Sequence, residues 1–305
     1  MIYKQTFYGG ICTYLSELRG LEVKKDGYFE NFGKLGRIKL PNTISFINSK
    51  KYLEEIDENI SCIVCNESVL PYLTEKNIGI VLSNEPRNTF YDIYYQLFII
   101  GYFTYPEKNI SEKAYISSRA VVADSGVVIG DNCIIEDNVI IHKGTILGDN
   151  VVVRSNSIIG GEGFEVATIR GIRKVVPHSG YCIIKSNVEI MNNTCVCKGL
   201  FRGYDTIISE NVKIDNFVHV SHGVKIGMNT EVAGGTFISG NTEIGENSWI
   251  GPNVTISNGL KIGSNVRINI GAVLINDLAD GESVSGNFAY DHRKFLKDFI
   301  TKKLH

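Results

Sequence analysis

The stretch IGENSWIGPNVTISNGLKIGSNVRI, residues 244 to 268, places an isoleucine at every sixth position: Ile244, Ile250, Ile256, Ile262 and Ile268. Neither the 3.6-residue period of a helix nor the alternation of a single strand gives that spacing. Followed outward, the register runs from Ile184 to Leu274 through sixteen positions, and only Arg202 among them is not aliphatic. An earlier block repeats it at Ile129, Ile135, Ile141, Leu147, Val153 and Ile159, and Ile110, Ile116 and Val122 precede that block one residue out of phase.

The residues between the aliphatics carry the other half of the signal. Glycine often follows directly, as at Gly130, Gly148, Gly227, Gly245, Gly251 and Gly263. Asparagine recurs three places on, at Asn132, Asn138, Asn150, Asn156, Asn187, Asn193, Asn211, Asn229, Asn247, Asn253 and Asn265. These two residue types tolerate a left-handed backbone at least cost. A short strand with one aliphatic pointing inward, then a corner needing positive φ, repeated every six residues, is a parallel β-helix.

Two segments break the hexads. GGEGFEVATIRGIRKVVPHSGY, residues 160 to 181, must leave the stack as a loop on one face, where function concentrates. KGLFRGYD, residues 198 to 205, reads as a smaller bulge around Arg202. The expected organisation is a small α/β domain over residues 1–105, a β-helix over 106–280 and a short C-terminal helix over 281–305, a mostly β protein.

Composition narrows the function classes. With 31 Lys+Arg against 33 Asp+Glu and no broad basic block, the chain does not read as a nucleic-acid binder. No secretory leader is evident, and the longest apolar run, Leu97 to Phe103, is far below the ~20 residues of a membrane span. A cytoplasmic protein without a transmembrane segment is expected. Seven scattered cysteines fit reduced thiols. Cys62 and Cys65 form a C-x-x-C and Cys195 and Cys197 a C-x-C, but neither has a second pair or nearby histidines to complete a zinc site, so no metal is expected.

In the N-terminal region, SCIVC and NIGIVLS read as strands and TFYDIYYQLFIIGYF as a helix. Within ISFINSKKYLEEI, Phe46 and Tyr52 flank Ser49, Lys50 and Lys51. That arrangement suits a nucleotide, with rings for the base and lysine for phosphate, and equally a strand-to-helix junction with solvated lysines. The tail NFAYDHRKFLKDFITKKLH spaces Phe295, Leu296, Phe299 and Ile300 along one helical stripe. Its cations are a solvated face or a dock for an acidic acyl donor.

Two of the six histidines, His219 and His222, stand three apart in NFVHVSHGVKIG. Neither occupies an inward position, so neither reads as a core residue. Imidazole beside glycines suits a general base at neutral pH and equally an ordinary surface histidine.

KIDNFVHVSHGVKIGMNTEVAGG, residues 213 to 235, resembles the active-site coil of the UDP-3-O-(3-hydroxyacyl)glucosamine N-acyltransferases, hexapeptide-repeat enzymes of lipid A synthesis. ISFINSKKY resembles that family's uridine-binding segment, and IIGGEGF the segment before its long loop. The resemblance implies a left-handed, triangular β-helix with three hexads per coil, a homotrimer, and active sites between subunits. It places the catalytic base at His222. Its second active-site histidine aligns with Gly259, and its uridine-motif asparagine with Ser49.

These departures point to a relative that acylates another nucleotide-linked amino sugar for O-antigen or capsule. The lipid A enzyme itself and a non-catalytic structural or binding β-helix are the alternatives. The implied chemistry is N-acyl transfer from acyl-CoA or acyl carrier protein, with no tightly bound cofactor. His222 is the expected base and Gly240, one 18-residue coil on, the expected oxyanion donor. Gly234 and Gly235 compete for that role, and Asp215 would orient the base or bind the amine. His219 and Asn216 are further candidates for holding substrate or donor, and Phe46, Ser49, Lys50 and Tyr52 for the nucleotide.

Overall fold

The structure, a computed structural model, describes residues 13–286 and 291–294. Each hexad forms a strand of two to four residues, and the strands stack into three parallel sheets of eight, eight and nine strands. One sheet runs from Asn109–Ile110 to Lys261–Ile262, the next from Tyr115–Ile116 to Ser283–Val284, and the third from Val121–Val122 to Val273–Leu274. The chain visits them in turn, so successive coils pair residues 18 apart, as in Val220 with Ile238 and Ile238 with Ile256. This is the expected left-handed parallel β-helix. Its strands reach Val284, a little past residue 280.

The inward aliphatics make one continuous core from Val127 to Leu274. Each such side chain, fully buried, contributes about 1.5–3 kcal/mol. That regular gain lets strands of two residues persist. The corners behave as the asparagine pattern requires. All eleven recurring asparagines have φ between 54° and 64°, as does Asn241 at 58°. Most other residues would be strained there by roughly 1–2 kcal/mol. The amides also link coil to coil: Asn211 donates to Asn229 at 3.1 Å and Asn229 to Asn247 at 3.0 Å. One corner breaks the rule, for Phe217 holds φ 58° with its side chain exposed.

Three irregularities place the site. Ile110 pairs with Ile129, 19 residues on, so the early phase slip is one extra residue absorbed at a corner. Ile159 pairs with Val196, 37 residues on, so the insertion adds 19 residues to its coil. It folds into an antiparallel hairpin, Val166–Ile169 with Ile172–Val175. Val196 pairs with Val220, 24 residues on, so the second interruption adds six. Arg202 belongs to that excursion and is not an inward position. Its guanidinium packs over the Phe103, Tyr105 and Tyr181 rings.

The N-terminal region is a five-stranded sheet ordered Glu22–Lys25, Gly79–Leu82, Ile60–Cys65, Thr43–Ile47, Asn31–Phe32, with only the first pair antiparallel. Helix α1, Pro86–Ile99, covers it through Phe90, Tyr91, Ile93, Tyr94 and Leu97. Proline at its start supplies a preset φ where no N–H is needed. Phe201, carried by the six-residue excursion, packs edge-on against Phe90 and Tyr94. The hairpin's Ala167 and Ile169 join the same cluster. Both interruptions of the repeat thus fasten the N-terminal sheet to one side of the β-helix. Residues 292–294 are helical, while the apolar stripe of Phe295, Leu296, Phe299 and Ile300 lies outside the described residues. Among the described residues no helix is long and apolar enough to cross a membrane.

Candidate active site

His222 sits at a corner of the third sheet, two places after the inward Val220. Its carbonyl accepts the Asn241 N–H at 2.8 Å, and the following Gly223 N–H donates to Thr206 Oγ1 at 2.8 Å. The sequence predicts an exposed imidazole. The structure corrects this, leaving His222 only 9% exposed, because the insertion folds over it. Its ring lies between two glycines: a Cβ on Gly240 would fall 2.8 Å from Nε2, and one on Gly163 2.7 Å from Nδ1. Only residues without side chains fit either place.

The insertion brings His178, fully buried, edge-on to His222 with ring centroids 5.4 Å apart. His178 Nδ1 lies 2.9 Å from the Val176 carbonyl and 3.1 Å from Glu162 Oε2, and its backbone N–H donates to Glu162 at 2.6 Å. Glu162 also pairs with Lys198 at 3.0 Å. Burial alone would raise the Glu162 carboxyl, but His178 and Lys198 hold it down to about 2. His222 Nδ1 and His178 Nε2 are buried without hydrogen-bond partners among the described residues. Burial first, and then the neighbouring His178, push the His222 imidazole down to about 4. It is therefore a neutral base at pH 7.

A cavity of about 590 Å³ opens in front of this histidine, lined by Lys34, Glu162, Phe164, Glu165, His219 and Gly240 among others. Glu165 ties its roof to the N-terminal region, accepting from Arg87 at 2.8 Å, Tyr91 at 2.8 Å and Lys34 at 3.1 Å. Gly240 is where the 18-residue coil places it. Its N–H makes no hydrogen bond among the described residues, while its carbonyl accepts from Gly259. Gly259 has φ 73°, and the Arg37 guanidinium packs where its Cβ would be.

The other expected residues fall elsewhere. Asp215 does not reach His222: it accepts from the Asn216 N–H and side chain at 2.7 Å and from the Gly234 N–H at 3.0 Å. Asn216 in turn accepts the Asn192 N–H at 3.0 Å, and Gly235 holds a corner at φ 75°. These four residues brace neighbouring corners, and none lines the cavity before His222. The reason is position, since 215 to 217 turn onto the third sheet one hexad earlier.

Of the nucleotide candidates, Phe46 packs against Phe90 at 5.2 Å and Tyr52 against a separate cluster around Ile47 and Leu73. Ser49 begins the short helix Lys50–Glu55, and Lys50 donates to the Tyr72 hydroxyl at 2.8 Å. The cleft beside them, about 210 Å³, is lined instead by Asn48, Asn66, Asn84, Glu85, Pro86, Arg87 and Asn88.

The third sheet also overturns the expectation that no histidine stands near the C-x-C. The 24-residue coil stacks His219 directly on Cys195. The Cys195 thiol is drawn down to about 5 by Cys197 and His219, while Cys197 is pushed up. His219 itself stacks on Phe237 at 4.6 Å. His178, Glu162 and Lys34 were also missed. The GEGF and PHSG segments of the insertion held two of them, with no periodic signal to rank them.

The chain is a parallel β-helix of hexads in which an insertion covers one corner histidine. Residues 126–161, 205–240 and 241–276 match the family model described as bacterial transferase hexapeptide (six repeats). The chain is 42% identical over 66 residues to UDP-3-O-acylglucosamine N-acyltransferase 1 of Legionella pneumophila (strain Paris), covering 22% of this chain and 18% of that protein. It is 46% identical over 68 residues to UDP-3-O-acylglucosamine N-acyltransferase of Caulobacter vibrioides, covering 22% and 19%. The matches thus span under a fifth of the length of these relatives. Among solved structures, LpxA from Acinetobacter baumannii aligns at 25% identity and TM-score 0.37 over 63% of this chain and 78% of that one.

Proposed function

We propose that this protein transfers an acyl group from a thioester, on coenzyme A or acyl carrier protein, to the amine of a nucleotide-linked amino sugar. The product would serve surface polysaccharide synthesis. The observation that carries this reading is His222: a neutral imidazole, buried between two glycines, at the wall of the cavity.

The amine nitrogen attacks the thioester carbonyl and must lose a proton, or the intermediate collapses backward. His222 takes that proton. The C–N bond forms, the C–S bond breaks, and the proton passes to the departing thiolate. The tetrahedral oxyanion needs preset donors, and the unbonded Gly240 N–H beside the imidazole is the candidate. Lys34 and Arg37 supply positive charge for the nucleotide phosphates on the N-terminal side. The side-chain amides of Asn48, Asn66 and Asn84 suit the donor–acceptor edge of a pyrimidine. A homotrimer with acyl grooves between subunits is part of this proposal.

Turnover of His222→Ala, with folding checked by circular dichroism, tests the assignment. Loss of activity in an intact fold is expected. Survival of activity, with loss in His219→Ala instead, overturns it.

A further inference from the structure

The strand Cys195–Cys197 turns Val196 into the core, so its two cysteines flank that residue on the outer face of the sheet. One coil on, the ladder fixes His219 opposite Cys195. The two sulfurs and a ring nitrogen of His219 all lie within 4.8 Å of one another. Cys197 and His219 also line the cavity that holds His222.

We infer that Cys195, Cys197 and His219 form a Zn²⁺ site in the cavity wall, with a fourth coordination position open to the cavity. Two sulfurs and one imidazole are a donor set that selects zinc over magnesium or calcium. Three protein ligands with one open position is the pattern of zinc sites that admit water or substrate. Tetrahedral Zn²⁺, with bonds of about 2.3 Å to sulfur and about 2.0 Å to nitrogen, needs donors about 3.5–3.8 Å apart. The observed spacing, within 4.8 Å, leaves a gap of about 1 Å for the side chains to close on binding. The backbones of Cys195 and His219 are fixed by parallel pairing on both sides, and Cys197 pairs with Gly161 on one.

The surroundings fit a ligand set. The Phe237 ring stacks on His219 with planes 16° apart and sets the orientation of the imidazole. Cys197 is 2% exposed, and its thiol donates to the Glu162 carbonyl at 3.5 Å, a contact that zinc ligation would replace. A disulfide suits the pair less well. Cysteines two apart on an extended strand have Cα atoms about 6.6 Å apart, near the upper limit of about 6.8 Å for that bond.

The test does not require turnover, so it stands apart from the acyl-transfer proposal. Full-length protein is stripped with chelator under reducing conditions and titrated with Co²⁺, then with Zn²⁺. One Co²⁺ per chain, with a thiolate-to-cobalt charge-transfer band and tetrahedral d–d absorption, both abolished by one equivalent of Zn²⁺, is the expected result. Cys197→Ser and His219→Gln should weaken binding by more than the roughly 10- to 100-fold that loss of an outer-shell partner costs. His222→Gln should bind as the wild type does. Absence of the band, or its persistence in a folded Cys195→Ser/Cys197→Ser double variant, overturns the inference.

Discussion

Replacing Gly240 with alanine puts a methyl carbon 2.8 Å from Nε2, 2.9 Å from Cε1 and 3.2 Å from Cδ2 of His222. Carbon contacts are comfortable at about 3.5–4.0 Å, so the ring must retreat by roughly 0.7 Å. It has little room, because Gly163 already lies against its far side. The Gly240 backbone is not left-handed, so alanine brings no conformational penalty of its own. The damage is therefore to the position of the base. A displacement near 1 Å costs about 100-fold in rate, so kcat should fall about 10- to 100-fold. Overpacking should cost about 1–3 kcal/mol of stability. Thiol release with the amino-sugar acceptor measures the first, and urea unfolding the second. Wild-type kcat in Gly240→Ala would refute the placement of His222 as the base.

Three further outcomes follow from the same geometry. His222 is depressed from 6.5 to about 4 in the fold, so between those values the unfolded chain takes up a proton that the folded chain refuses. Stability should fall as pH drops through that window, by about 1–2 kcal/mol between pH 6.5 and 5, and urea unfolding of His222→Gln should lack this part of the slope. Equal slopes would contradict the buried neutral imidazole. Phe217 occupies a corner at φ 58°, so Phe217→Asn should stabilise the protein by about 1 kcal/mol, read as a higher Tm. Glu165→Ala removes the acceptor of Arg87, Tyr91 and Lys34. It should cost about 1–3 kcal/mol and raise KM as the roof of the cavity loosens, with unchanged KM counting against that role.

Most of the fold was legible because the β-helix imposes the same two demands every six residues. An inward aliphatic and a left-handed corner leave their mark on residue type, and Ile244 to Ile268 with Asn247, Asn253 and Asn265 satisfy both. Of the candidate site, only His222, through resemblance, and Gly240, through coil length, could be singled out beforehand. His178 and Glu162 come from an insertion without periodicity, and its fold depends on aromatic packing against helix α1. The Cys195–His219 contact was hidden by six residues. With an 18-residue coil Cys195 would stack beneath Lys213, and only the excursion around Arg202 moves His219 into that place. Asp215 misled for the opposite reason, since nearness in sequence to His219 and His222 crosses a corner onto another sheet.

Mass spectrometry of the products decides between acyl transfer to a nucleotide-linked amino sugar and any other role. UDP- and dTDP-linked amino sugars would be crossed with acetyl, 3-hydroxybutyryl and 3-hydroxymyristoyl thioesters on coenzyme A and on acyl carrier protein. A mass gain of one acyl group on an amino sugar outside lipid A synthesis, absent with His222→Ala, is the expected result. No gain in any combination, or a gain that persists with His222→Ala, would contradict it.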